Sequence, residues 1–260
     1  NHFDDMKTLV YFPEYKYVEI QDRSGKVIST KELDFGTEIT GILVRAPYAA
    51  AVAAGTLDIA VISDGYTSGN MATFNNIANK IKIFFLAFDP YKYRVANIQI
   101  HIVENTTKTG CSPDTAAFYA CIAKVKQILK NKGIPFDKIV DVYNLHDYGG
   151  MSNDILGDFA IIGSNDMSDR IATHELSHLL GLEDEYTYPG GSGNSFPPEH
   201  VNCEQGSIPV AVWKNKVATA DQFNGCTSSK WIRPSEDSMM NKNVSYYNYL
   251  SIITINKSLN

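Results

Sequence analysis

The chain has 260 residues, of which 44% are hydrophobic and 20% charged, with a formal net charge of −6. This composition is typical of a folded globular protein. The acidic balance argues against a nucleic-acid-binding protein, and no apolar run approaches the ~20 residues that cross a bilayer. If the protein is exported, we expect its signal peptide to have been removed before residue 1.

The first 50 residues have the pattern of a small β region. Residues 17–21 alternate apolar and polar side chains, a Ser-Gly turn follows, and residues 26–30 form a second run. This is the pattern of a β-hairpin. Because about 50 residues form only a thin core alone, we predict that residues 1–50 pack on a larger domain, residues 51–260.

From residue 57 onward, strand patterns alternate with helix patterns. Short β-branched runs predict strands, and apolar residues at helical spacing predict helices. The predicted strands are residues 57–62, 96–103, 138–145 and 158–162. The predicted helices are residues 69–88, 114–132 and 168–180, and the chain ends in a further helix or strand. This order predicts an α+β fold with a mixed β-sheet flanked by helices.

The four cysteines form no C-x-x-C pair, which argues against a thiolate metal site. They lie in segments rich in Gly, Ser and Asn. An even count in such segments favours disulfides and an oxidising compartment, although four free thiols in a cytosolic protein are the alternative. Three connectivities are open, and we prefer the local pairs Cys111–Cys121 and Cys203–Cys226.

The segment from His174 to His178 reads His-Glu-Leu-Ser-His and contains the pattern H-E-x-x-H. Residues four apart are neighbours on one helix face, so both imidazoles can bind one zinc ion. Glu175 then lies beside the metal, where its carboxylate can take a proton from water on the metal. An apolar face for packing is supplied by Ile171, Leu176, Leu179 and Leu180.

A catalytic zinc ion usually has three protein ligands and one open position. Gly181 can turn the chain after the helix by adopting a positive φ, which would return Asp184 to the metal. Its spacing equals that of the third His in H-E-x-x-H-x-x-G-x-x-H, so Asp184 is the predicted third ligand. The neighbouring acids Glu183 and Glu185 are alternatives. A different zincin class would use a more distant acid, such as Glu199 or Glu204.

Two adjacent methionines, Met239 and Met240, follow a polar loop well after Asp184. In Met-turn zincins a methionine lies in a tight turn beneath the metal ligands. We choose Met240 for this position and keep Met239 as the alternative. Methionines that only fill a core would give the same pattern.

Residues 174–186 resemble the motif H-E-x-x-H-x-x-G-L-x-D-E-Y of the IgA peptidase family, metallopeptidases mostly from bacteria. Four other segments are similar to the family's Gly-Asp-Gly-Tyr/Phe-Thr, Tyr-Gly-Gly, His-Pro-Asn-Val and Trp-Ile, namely residues 62–67, 148–150, 200–202 and 230–232. The chain departs from the family at Ser63, in place of a glycine, and at Ser238, in place of a cysteine before the Met-turn.

The resemblance implies a metzincin-like zincin catalytic domain, with a twisted mixed β-sheet flanked by helices, an active-site helix and a Met-turn, preceded by a small β region. It also implies one catalytic Zn²⁺ ion and a secreted bacterial endopeptidase. The natural substrate is left open, and so is whether immunoglobulin A is cut.

A peptidase of this kind would bind its substrate extended along an edge strand near residues 149–159, by backbone hydrogen bonds. The glycine pair there permits close approach of another backbone. Tyr246 and Tyr247 follow the Met-turn and are candidates for stabilising the oxyanion, although tyrosines more often pack. For Asp64 we prefer a turn role to calcium binding.

The main alternative is a secreted binding or adhesion module in which zinc only stabilises the fold. Glu175 argues against that alternative, because a structural zinc site has no need of a base. We therefore predict a zinc-dependent endopeptidase.

Overall fold

The computed structural model describes residues 17–21, 27–32, 56–112, 115–153, 157–187, 202–205, 223–226 and 231–259. The chain divides into two compact units, Asn1–Val52 and Ala53–Asn260. In the first unit, strand β1 (Tyr17–Gln21) pairs antiparallel with β2 (Val27–Glu32). The predicted Ser-Gly turn lies outside the described residues, and the packing of this region on the larger domain stays a prediction.

A five-stranded sheet lies at the centre of the second unit. Its strands are β3 (Leu57–Asp64), β4 (Ile98–Val103), β5 (Lys138–Tyr143), β6 (Gly150–Ser152) and β7 (Phe159–Gly163). The strand order is β4-β3-β5-β7-β6. β6 pairs antiparallel with β7 at one edge, whereas the other four strands are parallel. The sheet is therefore mixed, as the sequence predicted, and most of its strands are parallel.

Three long helices cover the two faces of this sheet: α1 (Met71–Ala87), α2 (Thr115–Asn131) and α3 (Ser168–Leu179). Side chains alternate between the two faces of a strand. In β3, Val61 packs in one core cluster with residues of α1 and α3. Its neighbours Ala60 and Ile62 pack in a second cluster with residues of α2. Helices α1 and α3 thus lie on one face, and α2 lies on the other.

The chain ends in a short helix, α4 (Met239–Lys242), and a longer one, α5 (Tyr249–Ser258). Three short strands before them form a small antiparallel sheet, in the order β8-β10-β9. These strands are β8 (Glu204–Gln205), β9 (Phe223–Asn224) and β10 (Trp231–Arg233). Much of the chain between α3 and β10 lies outside the described residues.

Two disulfides join the local pairs that the sequence favoured, Cys111–Cys121 and Cys203–Cys226. Their Cα atoms are 5.1 and 5.8 Å apart, within the usual range for disulfides. The first bond ties the segment after β4 to helix α2. Among the described helices, none is both long enough and apolar enough to cross a membrane.

Candidate metal centre

Helix α3 presents His174, Glu175 and His178 in a buried position, with exposed fractions of 6%, 6% and 7%. The helix packs on the core through its apolar residues Ala172, Leu176 and Leu179. Because the two histidines are about one helical turn apart, their ring centroids lie only 4.9 Å from each other. The packing of the helix therefore fixes both imidazoles.

The turn after α3 brings Asp184 back to the histidines. Gly181 has a φ of 99°, a conformation in which a residue with a side chain is strained. Its N–H donates to the carbonyl of His178 at 2.9 Å, and the N–H of Leu182 donates to the carbonyl of Ser177 at 3.0 Å. These two bonds form a Schellman motif, which ends the helix and reverses the chain.

Asp184 completes a group of three side chains that could hold a metal ion. Its Oδ1 lies 2.9 Å from Nε2 of His174 and 3.3 Å from Nε2 of His178. Zinc binds nitrogen and oxygen at ~2.0–2.2 Å in tetrahedral geometry, which places two ligand atoms ~3.3 Å apart. The two imidazoles and the carboxylate therefore fit a zinc ion, with one coordination position left open.

Each imidazole is oriented by a hydrogen bond on its far nitrogen. Nδ1 of His174 lies 3.0 Å from the carbonyl oxygen of Met239, and Nδ1 of His178 lies 2.7 Å from that of Leu182. A carbonyl can only accept, so each Nδ1 carries the hydrogen, which leaves Nε2 as the metal-binding atom. Such outer hydrogen bonds are common behind the histidine ligands of metal sites.

The Asp184 carboxylate attracts positive charge within the group. Burial opposes the charged form of His178, but the Asp184 carboxylate outweighs burial and raises the pKa of His178 to about 9. Burial also acts to raise the pKa of Asp184, yet the two histidines hold that pKa well below its usual range. The buried Asp184 carboxylate therefore stays ionised, and its negative charge could pair with that of a metal cation.

Glu175 lies directly against the edge strand β6. A Cβ atom built on Gly150 would come within 2.5 Å of Oε1 of Glu175 and 2.7 Å of Cγ2 of Ile171. Such distances are shorter than normal contacts, so any side chain at position 150 would displace the Glu175 and Ile171 side chains or the strand itself. The edge of the sheet and the carboxylate are therefore in contact.

Burial raises the pKa of Glu175, while the nearby His178 and His174 oppose the shift. A carboxylate with a raised pKa is a stronger base than an exposed one. Burial, together with the charge of Glu175, raises the pKa of the half-buried Tyr148 to about 12. Sequence patterns gave Tyr148 no role of its own, since only its place in a Tyr-Gly-Gly segment was noticeable.

The two methionines of the predicted Met-turn are fully buried at the start of α4. Both side chains lie in the same core cluster as Leu176 and Leu179 of α3. The carbonyl of Met239 contacts His174, and the carbonyl of Met240 accepts a hydrogen bond from the N–H of Glu185 at 2.8 Å. This segment therefore contacts the group through its backbone, and a Met-turn role for Met240 stays a prediction.

The two candidate tyrosines occupy different environments. Tyr246 is 51% exposed, whereas Tyr247 is 5% exposed. The hydroxyl of Tyr247 is hydrogen-bonded to the hydroxyl of Ser177 and lies 3.3 Å from that of Tyr91. Stabilisation of an oxyanion by either tyrosine stays a prediction.

The alternative third ligands are placed differently from Asp184. The carboxylate of Glu185 accepts hydrogen bonds from Ser238 at 2.5 Å and from Asn248 at 2.6 Å. The backbone of Glu183 is bonded to the side chain of Asn202. Glu199 and the side chain of Glu204 lie outside the described residues. Among the described side chains, Asp184 is the acid that meets both histidines.

A second buried group brings together Asp64, Asp141 and the sulfur of Cys111. That sulfur belongs to a disulfide and carries no charge or hydrogen. It lies 3.3 Å from Oδ2 of Asp141. Burial, together with the charge of Asp64, raises the pKa of Asp141 well above its usual range, which favours the protonated form of its carboxyl. Asp64 accepts hydrogen bonds from the backbone and hydroxyl of Thr109, and a calcium role for it stays untested.

The chain matches no protein-family model and no curated protein sequence. Among solved structures, it is similar to metalloproteinase-II from Bacteroides fragilis, with 18% identity and a TM-score of 0.34. That match covers 52% of this chain and 45% of the other, so the chain spans less than half of that protein. It is also similar to archaemetzincin from Methanopyrus kandleri, with 9% identity over 49% of this chain and 75% of the other and a TM-score of 0.27. Likenesses of this size do not establish a family, and membership of the IgA peptidase family stays a prediction.

Proposed function

We propose that the chain is a zinc-dependent endopeptidase in which His174, His178 and Asp184 hold the metal and Glu175 is the base. The observation that carries the proposal is the convergence of two Nε2 atoms and one carboxylate oxygen within 2.9 and 3.3 Å. Beside them lies a buried carboxylate with a raised pKa. Bound zinc would act as a Lewis acid toward the scissile carbonyl and toward water.

Glu175 supplies the proton transfers of the reaction. Its carboxylate takes a proton from the attacking water and later delivers a proton to the leaving amine. The raised pKa suits both steps, because the group must accept a proton readily and then release it. A structural zinc site has four protein ligands and no base. The buried Glu175 therefore favours a peptidase over a binding module with structural zinc.

The edge strand β6 (Gly150–Ser152) supports a peptide substrate. Its inner edge pairs with β7, and β6 is the last strand of the sheet. An extended peptide can add to such an edge by backbone hydrogen bonds. Since Gly150 touches Glu175, a peptide on that edge would pass close to the base. Of the two candidate tyrosines, the exposed Tyr246 is the better placed to meet a substrate.

The two disulfides support an oxidising compartment. We infer that the protein acts outside the cytoplasm, where such bonds persist.

The test compares Glu175→Gln with the wild type on a diverse library of quenched fluorescent peptides. The variant should retain one zinc ion per chain and lose ~10²–10⁴-fold in kcat, the usual contribution of a general base. Glu104→Gln is the matched control, because it makes the same change far along the chain and should leave kcat unchanged. Cleavage by Glu175→Gln at the wild-type rate would refute the proposal.

A further inference from the structure

Glu185 is a fully buried carboxylate next to the third metal-binding residue. A buried carboxylate is costly unless it is well hydrogen-bonded. Its Oε2 accepts from the hydroxyl of Ser238 at 2.5 Å, and its Oε1 accepts from the amide of Asn248 at 2.6 Å. Two longer bonds, at 3.1 and 3.4 Å, come from Asn202 and Ser251. These four donors are neutral, and they come from three separate segments of the chain.

The backbone on both sides of Asp184 is anchored as well. The N–H and carbonyl of Glu183 bond to the amide of Asn202 at 3.0 and 2.9 Å. The N–H of Glu185 donates to the carbonyl of Met240 at 2.8 Å. The sulfur of Cys203, which belongs to a disulfide, lies 3.6 Å from the carbonyl oxygen of Asp184. Asp184 is therefore held from both neighbours, and its carboxylate has little freedom to move away from the histidines.

The segment that is hydrogen-bonded to Glu185, at the start of α4, also orients His174. Ser238 bonds to Glu185, and the next residue, Met239, accepts the hydrogen bond from Nδ1 of His174. The contacts form a closed ring that runs from His174 through Met239 and Ser238 to Glu185, and from Asp184 back to His174. Within this ring, the bond between Glu185 and Ser238 joins the loop after α3 to the start of α4.

We propose that Glu185 is a positioning residue, which sets the distance between the Asp184 carboxylate and the His174 imidazole and thereby the affinity for zinc. This inference rests on the proposed function only in taking zinc as the ion. The hydrogen-bonded partners behind metal ligands are typically worth ~10–100-fold in metal affinity. We expect the same range for the loss of the Glu185–Ser238 bond.

The test measures the zinc dissociation constant by competition with a chromophoric chelator. Ser238→Ala removes one hydroxyl from the ring and should weaken zinc binding ~10–100-fold. Glu185→Ala should weaken it more, and Glu185→Gln should lie between Glu185→Ala and the wild type, because glutamine keeps an acceptor for Asn248 and Asn202. Partial recovery of zinc affinity in Glu185→Gln would show that the hydrogen bonds of residue 185, and not only its volume, matter for zinc binding.

Ser63→Ala is the matched control. Ser63 is also a fully buried serine whose hydroxyl is hydrogen-bonded, in its case to Asn105. This variant should lower the melting temperature and leave zinc affinity within about two-fold of the wild type, a shift well under the ~10-fold expected in the ring. If Ser238→Ala weakens zinc binding no more than Ser63→Ala does, the positioning role is wrong. Should Glu185→Ala fail to fold, Ser238→Ala still decides the question.

The readout separates this inference from the proposed function. If the wild type cuts no peptide yet Ser238→Ala loses zinc affinity selectively, the peptidase proposal fails and the positioning role stands. If the wild type is a peptidase and Ser238→Ala binds zinc as the wild type does, only the positioning role fails.

Discussion

Two buried groups of metal-binding side chains lie in the same domain, and only one has the chemistry of a metal centre. His174, His178 and Asp184 combine two imidazole nitrogen donors with an ionised carboxylate. The group of Asp64, Cys111 and Asp141 combines two carboxyls with a sulfur already used in a disulfide. Both groups are buried, and in each the donor atoms lie within 4.8 Å of one another. Proximity and burial therefore do not distinguish them.

The two groups differ in the hydrogen bonds and charges that surround their donor atoms. In the histidine group, backbone carbonyls bind the Nδ1 atoms and leave Nε2 turned toward Asp184. In the other group, Thr109 occupies the Asp64 carboxylate, while burial and the charge of Asp64 raise the pKa of Asp141. The first environment draws positive charge to its donor atoms, whereas the second engages its donor atoms in hydrogen bonds or favours their neutral form.

The largest expected effect is on zinc binding, when the acid of the histidine group is replaced and an acid of the second group serves as the comparison. Asp184→Ala should abolish stoichiometric zinc binding, because a catalytic site needs its third ligand. Asp141→Asn should bind one zinc ion per chain with wild-type affinity. Both are measured by metal analysis after dialysis. Zinc retained by Asp184→Ala and lost by Asp141→Asn would reverse the assignment of the two groups.

A smaller effect is expected from removing the disulfide of the second group. The residues it joins are 10 apart in sequence, so the double variant Cys111→Ser with Cys121→Ser should lose about 2–3 kcal/mol of unfolding free energy. Its zinc content and peptidase activity should not change. Urea unfolding and metal analysis check both points. Uptake of a second zinc ion by the reduced wild type would show that oxidation alone keeps this group from binding metal.

The smallest effect concerns pH. The pKa of Asp141 is raised in the folded chain, so folding favours its protonated form, and stability falls as pH rises above the unfolded pKa of 3.8. Asp141→Asn removes this dependence. It should have a higher Tm than the wild type at pH 8, with little gain near pH 4, and thermal unfolding at the two pH values measures the difference.

The control for this change is Asp147→Asn, which makes the same substitution on an exposed side chain. Its melting temperature should follow that of the wild type at both pH values. A gain of equal size for Asp141→Asn at pH 4 and pH 8 would mean that packing, and not protonation, explains the effect.

Much of the architecture was predictable because it follows from local patterns. Helical spacing of apolar residues placed α2 and α3 within one or two residues of their bounds, Thr115–Asn131 and Ser168–Leu179. Strand β4 starts at Ile98, later than the predicted residue 96, because residues Val95–Asn97 form a turn of 3₁₀ helix. The convergence of Asp184 on the histidines was also predictable, since it depends on a short turn with a glycine at its centre.

The network around Glu185 was not predictable from the sequence. Its partners are 17 to 66 residues away along the chain, and no spacing rule connects such positions. Sequence chemistry alone made Glu185 a rival ligand, because an acid beside a metal motif has the right donor atoms. The tertiary fold instead turns it toward neutral donors. The contact of His174 with the backbone of Met239 could not be predicted from the sequence for the same reason.

The contact between Gly150 and Glu175 has a consequence for how this protein can diverge. A single methyl group at position 150 would overlap the carboxylate and Ile171, so a larger residue there requires these side chains or the edge strand to move. A descendant with any other residue there must have shifted its edge strand or relocated its base. Position 150 can therefore serve as a diagnostic, in distant relatives, of whether this arrangement has been inherited.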